Sequence, residues 1–189
     1  MIRIGILGDI GSGKSFVARN FGYPVFNADR EVDEIYKRNK KIYIKLKKAL
    51  PKYIRSYPVD KKEITNAILS NKSNLKKIVQ IIHSEIRKKM SIFIKKNQKK
   101  KIIILDIPLL LENKINKKKD ILIFVQSKKS DILKRLKKRK NFSQKLFHKF
   151  KRLQLSLEYK KKASQFIIKN DFTEKSIKKN VKNILIKIL

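Results

Sequence analysis

The chain has 189 residues, 41% of them hydrophobic, which suits one compact α/β domain carrying insertions and is long enough to bury a core. It contains no cysteine, which excludes disulfides and thiolate metal centres, and no apolar run approaches a membrane span. Lys and Arg number 51 against 15 Asp and Glu, a net charge of +36 that attracts anions in general. That excess is spread along the whole chain instead of gathering in one arm or stripe. Lys, Ile and Asn are all abundant and all have A/T-rich codons, so compositional drift accounts for the charge without a nucleic-acid role. Met1 leads directly into a strand-like run with nothing resembling a signal peptide, so a cytoplasmic protein without a membrane partner is expected.

In chain order, the first element is a β-branched apolar run at residues 2–7, read as a buried parallel strand because it is continuous instead of alternating. It runs into Gly8-Asp9-Ile10-Gly11-Ser12-Gly13-Lys14-Ser15, the G-x-x-x-x-G-K-S phosphate-loop pattern. All five glycines of the chain lie between Gly5 and Gly22, and three of them belong to this pattern. A triphosphate needs several backbone N–H donors converging on one concavity, and a Cβ on the turn residues blocks that approach. The helix expected to start near Gly13 adds its positive end. Lys14 is suited to the β and γ phosphates, the Ser15 hydroxyl to Mg²⁺, and Gly8, Gly11, Ser12, Gly13 and the backbone of Phe16 complete the expected ATP cradle.

Further strands are expected at residues 24–27, 102–107, 121–125 and 166–169, with helical patterns between them. Residues 30–101 carry no convincing strand. They hold Ile42-Tyr43-Ile44-Lys45-Leu46, a break at Pro51 and Pro58, and a long amphipathic pattern from Asp60 to Asn97. A second helical segment spans residues 130–162. The alternation predicts a parallel five-stranded sheet covered by helices on both faces. Ligands of such sheets sit beyond the carboxyl ends of the strands, which directs attention to residues 8–15, Asp29, residues 106–112 and the segment after Val125. The single domain then comprises a core (1–29, 102–129 and 163–189), a helical insertion (30–101) and a helical lid (130–162).

Four separated blocks give this chain a more specific likeness. Beside the phosphate loop stand Val25-Phe26-Asn27-Ala28-Asp29, His83-Ser84-Glu85-Ile86-Arg87-Lys88-Lys89-Met90 and Leu105-Asp106-Ile107-Pro108-Leu109-Leu110-Leu111-Glu112. In this order they resemble the G-G-I-G-S-G-K-S, V-I-(D/N)-A-D, H-P-x-I-R-x-x-M and D-(V/I)-P-L-L-(F/V)-E blocks of the dephospho-CoA kinases. Arg135-Leu136-Lys137-Lys138-Arg139 is similar to that family's lid helix, and the likeness continues through Gln154 and Asn170. It implies a P-loop kinase that phosphorylates the ribose 3′-hydroxyl of dephospho-CoA with ATP and Mg²⁺. No specific nucleic-acid partner is expected, and a monomer is favoured over an oligomer. It also implies that residues 30–101 bind the acceptor. Several positions depart from the family pattern: Asp9 stands for a glycine, Phe16 for a threonine, Ser84 for a proline and Lys169 for an acid. The Asp9 side chain is expected to point outward, because an inward anion repels the nucleotide. Lys149, Lys151 and Arg152 are candidates for a lid-region arginine found shortly before Gln154.

On spacing alone, Asp29 reads equally as a helix cap or as a base; the resemblance makes it the base that accepts the hydroxyl proton. His83 and Arg87, four apart on one helical face, are implied to hold the substrate's nucleotide end, where the Arg fork suits a phosphate. Arg139, and less so Arg135, is implied to bring positive charge to the transferring phosphate. Asp106, at the end of a strand, is a second candidate for Mg²⁺. His148 has no evident role. Competing readings are a nucleoside or nucleoside-monophosphate kinase and a basic nucleic-acid-binding P-loop ATPase. The first does not need the long insertion with His83 and Arg87, and the second lacks an aromatic-interleaved basic patch.

Overall fold

A computed structural model describes residues 1–138 and 142–189. These residues form two compact units. The first is Met1–Asn27, Lys96–Ser143 and Phe147–Leu189; the second is Ala28–Lys95 with Gln144–Leu146.

The first unit is built on a parallel five-stranded sheet. Its strands are β1 (Ile2–Gly8), β2 (Val25–Asn27), β3 (Ile102–Asp106), β4 (Ile121–Gln126) and β5 (Phe166–Lys169), in the spatial order β2-β3-β1-β4-β5. Every strand expected from the sequence is present, with ends shifted by at most one residue. β1 and β3 are buried along nearly their whole length, which is why they read as unbroken apolar runs. The strand order reverses about β1, so the loop leaving its carboxyl end lies at the topological switch point.

Helices α1 (Lys14–Asn20) and α9 (Glu174–Ile188) supply Val17, Ala18, Ile177, Val181 and Ile184 to a core shared with Ile4, Ile6, Ile102, Ile104, Ile123, Val125 and Ile168. On β1 the alternate residues face the other way. There Gly5 leaves room for Leu110 and Leu122, whose methyl groups lie 2.5 and 2.9 Å from where a Cβ would stand. The remaining helices of the sequence's charged segment are α6 (Lys129–Lys137), α7 (Gln144–Arg152) and α8 (Leu157–Lys162).

Two buried ion pairs pin this unit. Arg3 at the start of β1 donates to Asp120 Oδ2 at 3.0 Å, and the Lys117 backbone N–H donates to the same oxygen at 2.8 Å. Lys160 of α8, only 1% exposed, reaches Glu112 Oε1 at 2.8 Å and Gln154 Oε1 at 3.2 Å. Glu112 Oε1 also accepts the Leu155 N–H at 3.0 Å, so the loop after β3 is tied to the turn between α7 and α8.

The second unit is helical: α2 (Ala28–Arg38), α3 (Lys40–Ala49), α4 (Lys61–Ser70) and α5 (Lys72–Lys96). Asn39 caps α3 through its side chain, which accepts from Ile42 N, so the Ile42–Leu46 run is a helix with Ile42 and Leu46 buried one turn apart. The amphipathic pattern from Asp60 to Asn97 is two helices, not one. Asn71 takes an extended conformation (φ −150, ψ 142), and its side chain accepts from Ser73 N to restart the helix. The buried Asn74 then locks the two helices together, donating to Ala67 O and Ser70 Oγ. Ile78, Ile82 and Ile86 form the buried stripe of α5. Glu31 of α2 and Lys89 of α5 pair at 2.9 Å, and Asp33 pairs with Lys61 at 2.7 Å.

Removing one partner of a buried pair leaves an uncompensated charge in a poorly solvated place. Glu112→Ala is therefore expected to cost about 3–5 kcal/mol through the stranded Lys160 ammonium. Urea denaturation checks this, with Glu112→Ala, Lys160→Met restoring much of the loss.

Candidate active site

The loop from Gly8 to Ser15 follows β1 and closes on itself through Ser12 N–H to Asp9 O at 3.2 Å. Gly11 and Gly13 take positive φ angles of 84 and 87, a region open to glycine without strain. Gly13 is also the residue before α1, and Val17 N–H donates to its carbonyl to start the helix.

What shapes the loop lies mostly outside the motif. The Ser12 carbonyl is gripped from two sides, by Ser127 Oγ at 2.9 Å and by Asn170 Nδ2 at 2.8 Å. Ser127 follows β4 and Asn170 follows β5, so two strand ends hold the loop of a third. Asn170 is 3% exposed, and its Oδ1 accepts the N–H of Phe172, a residue held at φ 65. A Cβ on Gly13 would stand 2.3 Å from Asn170 Nδ2, so the glycine is required for this grip. On its other side the loop meets α6: a Cβ on Gly11 would lie 3.1 Å from both Ile132 and Leu136. Ser127 falls in the segment after Val125 to which the sequence points, whereas Phe172 lies outside every candidate block. Asn170 was noted only as part of the last strand unit; its position directly after a predicted strand was the usable signal.

The cations and oxygens of the site are already engaged with each other. Lys14 Nζ donates to the Asp9 and Gly8 carbonyls at 2.7 and 3.3 Å. Asn27 and Asp106 are direct register partners on β2 and β3, so their side chains leave the sheet on the same side. Asn27 Nδ2 donates to Asp106 Oδ2 at 2.5 Å and to Ser15 Oγ at 3.3 Å. The hydroxyl and carboxylate expected to serve a metal are thus brought together by an amide that the sequence reading gave no role. Asp106 is 3% exposed. Phe16, in place of a hydroxyl residue, packs half-buried against the core cluster, so its side chain serves the fold.

Asp9 departs from expectation. Its carboxylate does not project into open solvent: it is 15% exposed, accepts Ile10 N–H at 2.7 Å, and is held by Lys151 Nζ at 2.5 and 2.6 Å. A lysine 142 residues away draws the anion into a pair that nothing in the local sequence announces.

The other expected site residues are spread over the remaining elements. Arg135, in the last turn of α6, lays its guanidinium 4.2 Å from the centre of the Phe172 ring, a cation–π contact. Arg139 lies outside the described residues. Asp29, His83 and Arg87 belong to the second unit. Asp29 is exposed in the first turn of α2, two residues beyond the end of β2. His83 and Arg87 sit one turn apart on α5, the helix that Lys89 ties to α2 through Glu31. Burial, and after it the Arg87 charge, lowers the His83 pKa below its ordinary value. Among the described residues no group of three or more His, Cys, Asp or Glu side chains is arranged to hold a metal.

A glycine-shaped phosphate loop on a central parallel strand, followed by a lysine and a hydroxyl at the start of a helix, defines a P-loop nucleotide-binding protein. Solved structures agree in fold. A crystal structure of a Thermus thermophilus protein superposes with a TM-score of 0.77 at 23% identity, covering 100% of this chain and 98% of that one. Dephospho-CoA kinase from Campylobacter jejuni gives 0.64 at 21% identity, with 98% and 96% covered. Shikimate kinase from Acinetobacter baumannii gives 0.54 at 12%, with 100% and 93% covered.

The dephospho-CoA kinase family model matches residues 2–176. Among curated relatives, the dephospho-CoA kinase of Wolbachia pipientis wMel is 33% identical over 96% of this chain and 95% of its own length. That of Bartonella henselae is 31% identical over 87% of each chain. This chain belongs to the dephospho-CoA kinase family.

A histidine whose folded pKa is depressed favours the native state while neutral. Its contribution is complete above the unfolded pKa and is lost as pH falls through that value towards the folded one. Stability measured by urea midpoint should therefore drop as the pH falls through the ordinary histidine value of about 6.5, and His83→Gln should flatten that drop.

Proposed function

We propose that this protein transfers the γ-phosphoryl group of ATP to the ribose 3′-hydroxyl of dephospho-CoA, giving coenzyme A and ADP. The observation that carries the reading is an intact phosphate cradle in a chain matched by one family over residues 2–176. In our reading the γ-phosphorus forms a bond to the acceptor oxygen as its bond to the β-bridging oxygen breaks. The acceptor proton passes to Asp29, whose exposed carboxylate lies just past the end of a strand, where substrates of such sheets bind.

The backbone donors of Gly11, Gly13, Lys14, Ser15 and Phe16 are assigned to the phosphate oxygens, and the Ser12 N–H would join them by leaving the Asp9 carbonyl. Lys14 would exchange its two loop carbonyls for the β and γ oxygens. A magnesium ion suits the Ser15 hydroxyl and the Asp106 carboxylate. Both are hard oxygen donors joined through Asn27, and magnesium takes only one or two protein ligands beside water and phosphate. When bound with the triphosphate, it neutralises charge on the β and γ oxygens.

His83 and Arg87 are proposed to hold the nucleotide end of the acceptor, supported by their shared face on α5. Under the same proposal residues 30–101 are the acceptor-binding insertion and residues 130–162 the lid, with Arg139 and Arg135 its candidate cations. We further take the enzyme to act in the cytoplasm as a monomer. No helix among the described residues is long and apolar enough to cross a membrane.

ADP release measured with dephospho-CoA, with adenosine or AMP, and with DNA tests the assignment. Turnover is expected only with dephospho-CoA; equal or faster release with AMP or adenosine, or stimulation by DNA, overturns it. In the same assay Asp29→Asn should lower kcat by about 10²–10⁴-fold, the usual worth of a general base, with ATP affinity nearly unchanged. Undiminished turnover removes Asp29 from the mechanism.

A further inference from the structure

Asp9 is the only acidic side chain between Gly8 and Ser15, the loop expected to receive a triphosphate. A carboxylate there opposes a polyanion, and at 15% exposure water screens it poorly. Its charge is nevertheless matched. Both of its oxygens accept from Lys151 Nζ, at 2.5 and 2.6 Å, while Oδ1 also takes the Ile10 N–H. Lys151 approaches from the last turn of α7 and is 40% exposed, so the ammonium covers the carboxylate from the solvent side. The backbone of the same residue is engaged too: the Asp9 carbonyl accepts Lys14 Nζ at 2.7 Å and the Ser12 N–H at 3.2 Å. Any swing of the Asp9 side chain therefore begins from the segment that holds the phosphate-binding lysine.

We propose that Lys151 is a nucleotide-positioning residue that acts through Asp9. It neutralises the loop's own carboxylate and holds it in a fixed place, so that the cradle accepts a triphosphate despite carrying an acid. This rests on the kinase reading above only in taking the loop as the ATP site.

The physical signature is dependence of one site on the other. If Lys151 serves ATP through Asp9, removing Lys151 matters only while Asp9 is present. If it touches the phosphates itself, its removal costs the same with or without the carboxylate. Calorimetric titration of Mg-ATP into the wild type, Asp9→Gly, Lys151→Met and the double variant separates these cases. Lys151→Met alone is expected to weaken ATP binding about tenfold, and by less than about twofold in the Asp9→Gly background. Lys151→Arg, which keeps the charge, should retain wild-type affinity. In steady state the loss should fall on the KM for ATP, with the KM for dephospho-CoA unmoved, which a general folding defect does not produce.

Equal losses in both backgrounds overturn the proposal in favour of direct phosphate contact. No loss in the wild-type background overturns it by reducing the pair to surface decoration. A wild-type protein that takes up no ATP refutes the kinase reading and the pair's role together. Wild-type uptake with independent effects refutes the pair's role alone.

Discussion

A phosphate cradle turns backbone N–H groups towards its ligand, and the same turn drives carbonyl oxygens back into the protein, where each needs a donor. In this chain that obligation falls on Ser12, buried to 1% exposure, and it is met by Ser127 and Asn170. Much else follows from that single carbonyl. The donors come from the two strands on one side of β1, so β4 and β5 have to finish level with the loop, as the register Gly8↔Val125 and Gln126↔Lys169 arranges. Asn170 can come close only because Gly13 has no Cβ, and it spends its other amide atom on Phe172, whose ring then meets Arg135. One satisfied oxygen thus links the motif, two strands, the loop after β5 and the helix that opens the charged segment.

The local parts of this arrangement were legible in the sequence. Continuous β-branched runs mark strands buried on both faces, and the glycine spacing marks a turn that side chains would obstruct. The long-range parts were not. Asn170 and Ser12 are 158 residues apart, and Asp9 and Lys151 are 142 apart; neither pair leaves any periodicity to detect. Asn27 illustrates the middle ground. Its place in a family-like block drew notice, but its work depends on standing opposite Asp106 across a parallel ladder, which only strand order reveals. The break at Asn71 was hidden for another reason. The apolar pattern continues in phase on both sides, so periodicity alone cannot separate one long helix from two that share a buried face.

With 51 cationic residues and only 15 acids, carboxylates are the scarce charge of this chain, and their placement carries more information than that of the lysines. Several occupy exposed pairs such as Glu158–Lys162 and Glu174–Lys178, which contribute little. Others sit where a cation has been carried out of water: Asp120 beneath Arg3, and Glu112 against Lys160. There the acid makes burial of the base tolerable, because either partner left alone faces the full cost of desolvation. Asp9 and Lys151 reverse the direction of need. The acid is the covered member, at 15% exposure against 40%, and it lies in the loop where negative charge is least welcome. In a chain with lysine to spare, recruiting one to that position is the simplest physical remedy. The surplus charge, uninformative as a total, becomes informative at the one carboxylate it is drawn to within the phosphate loop.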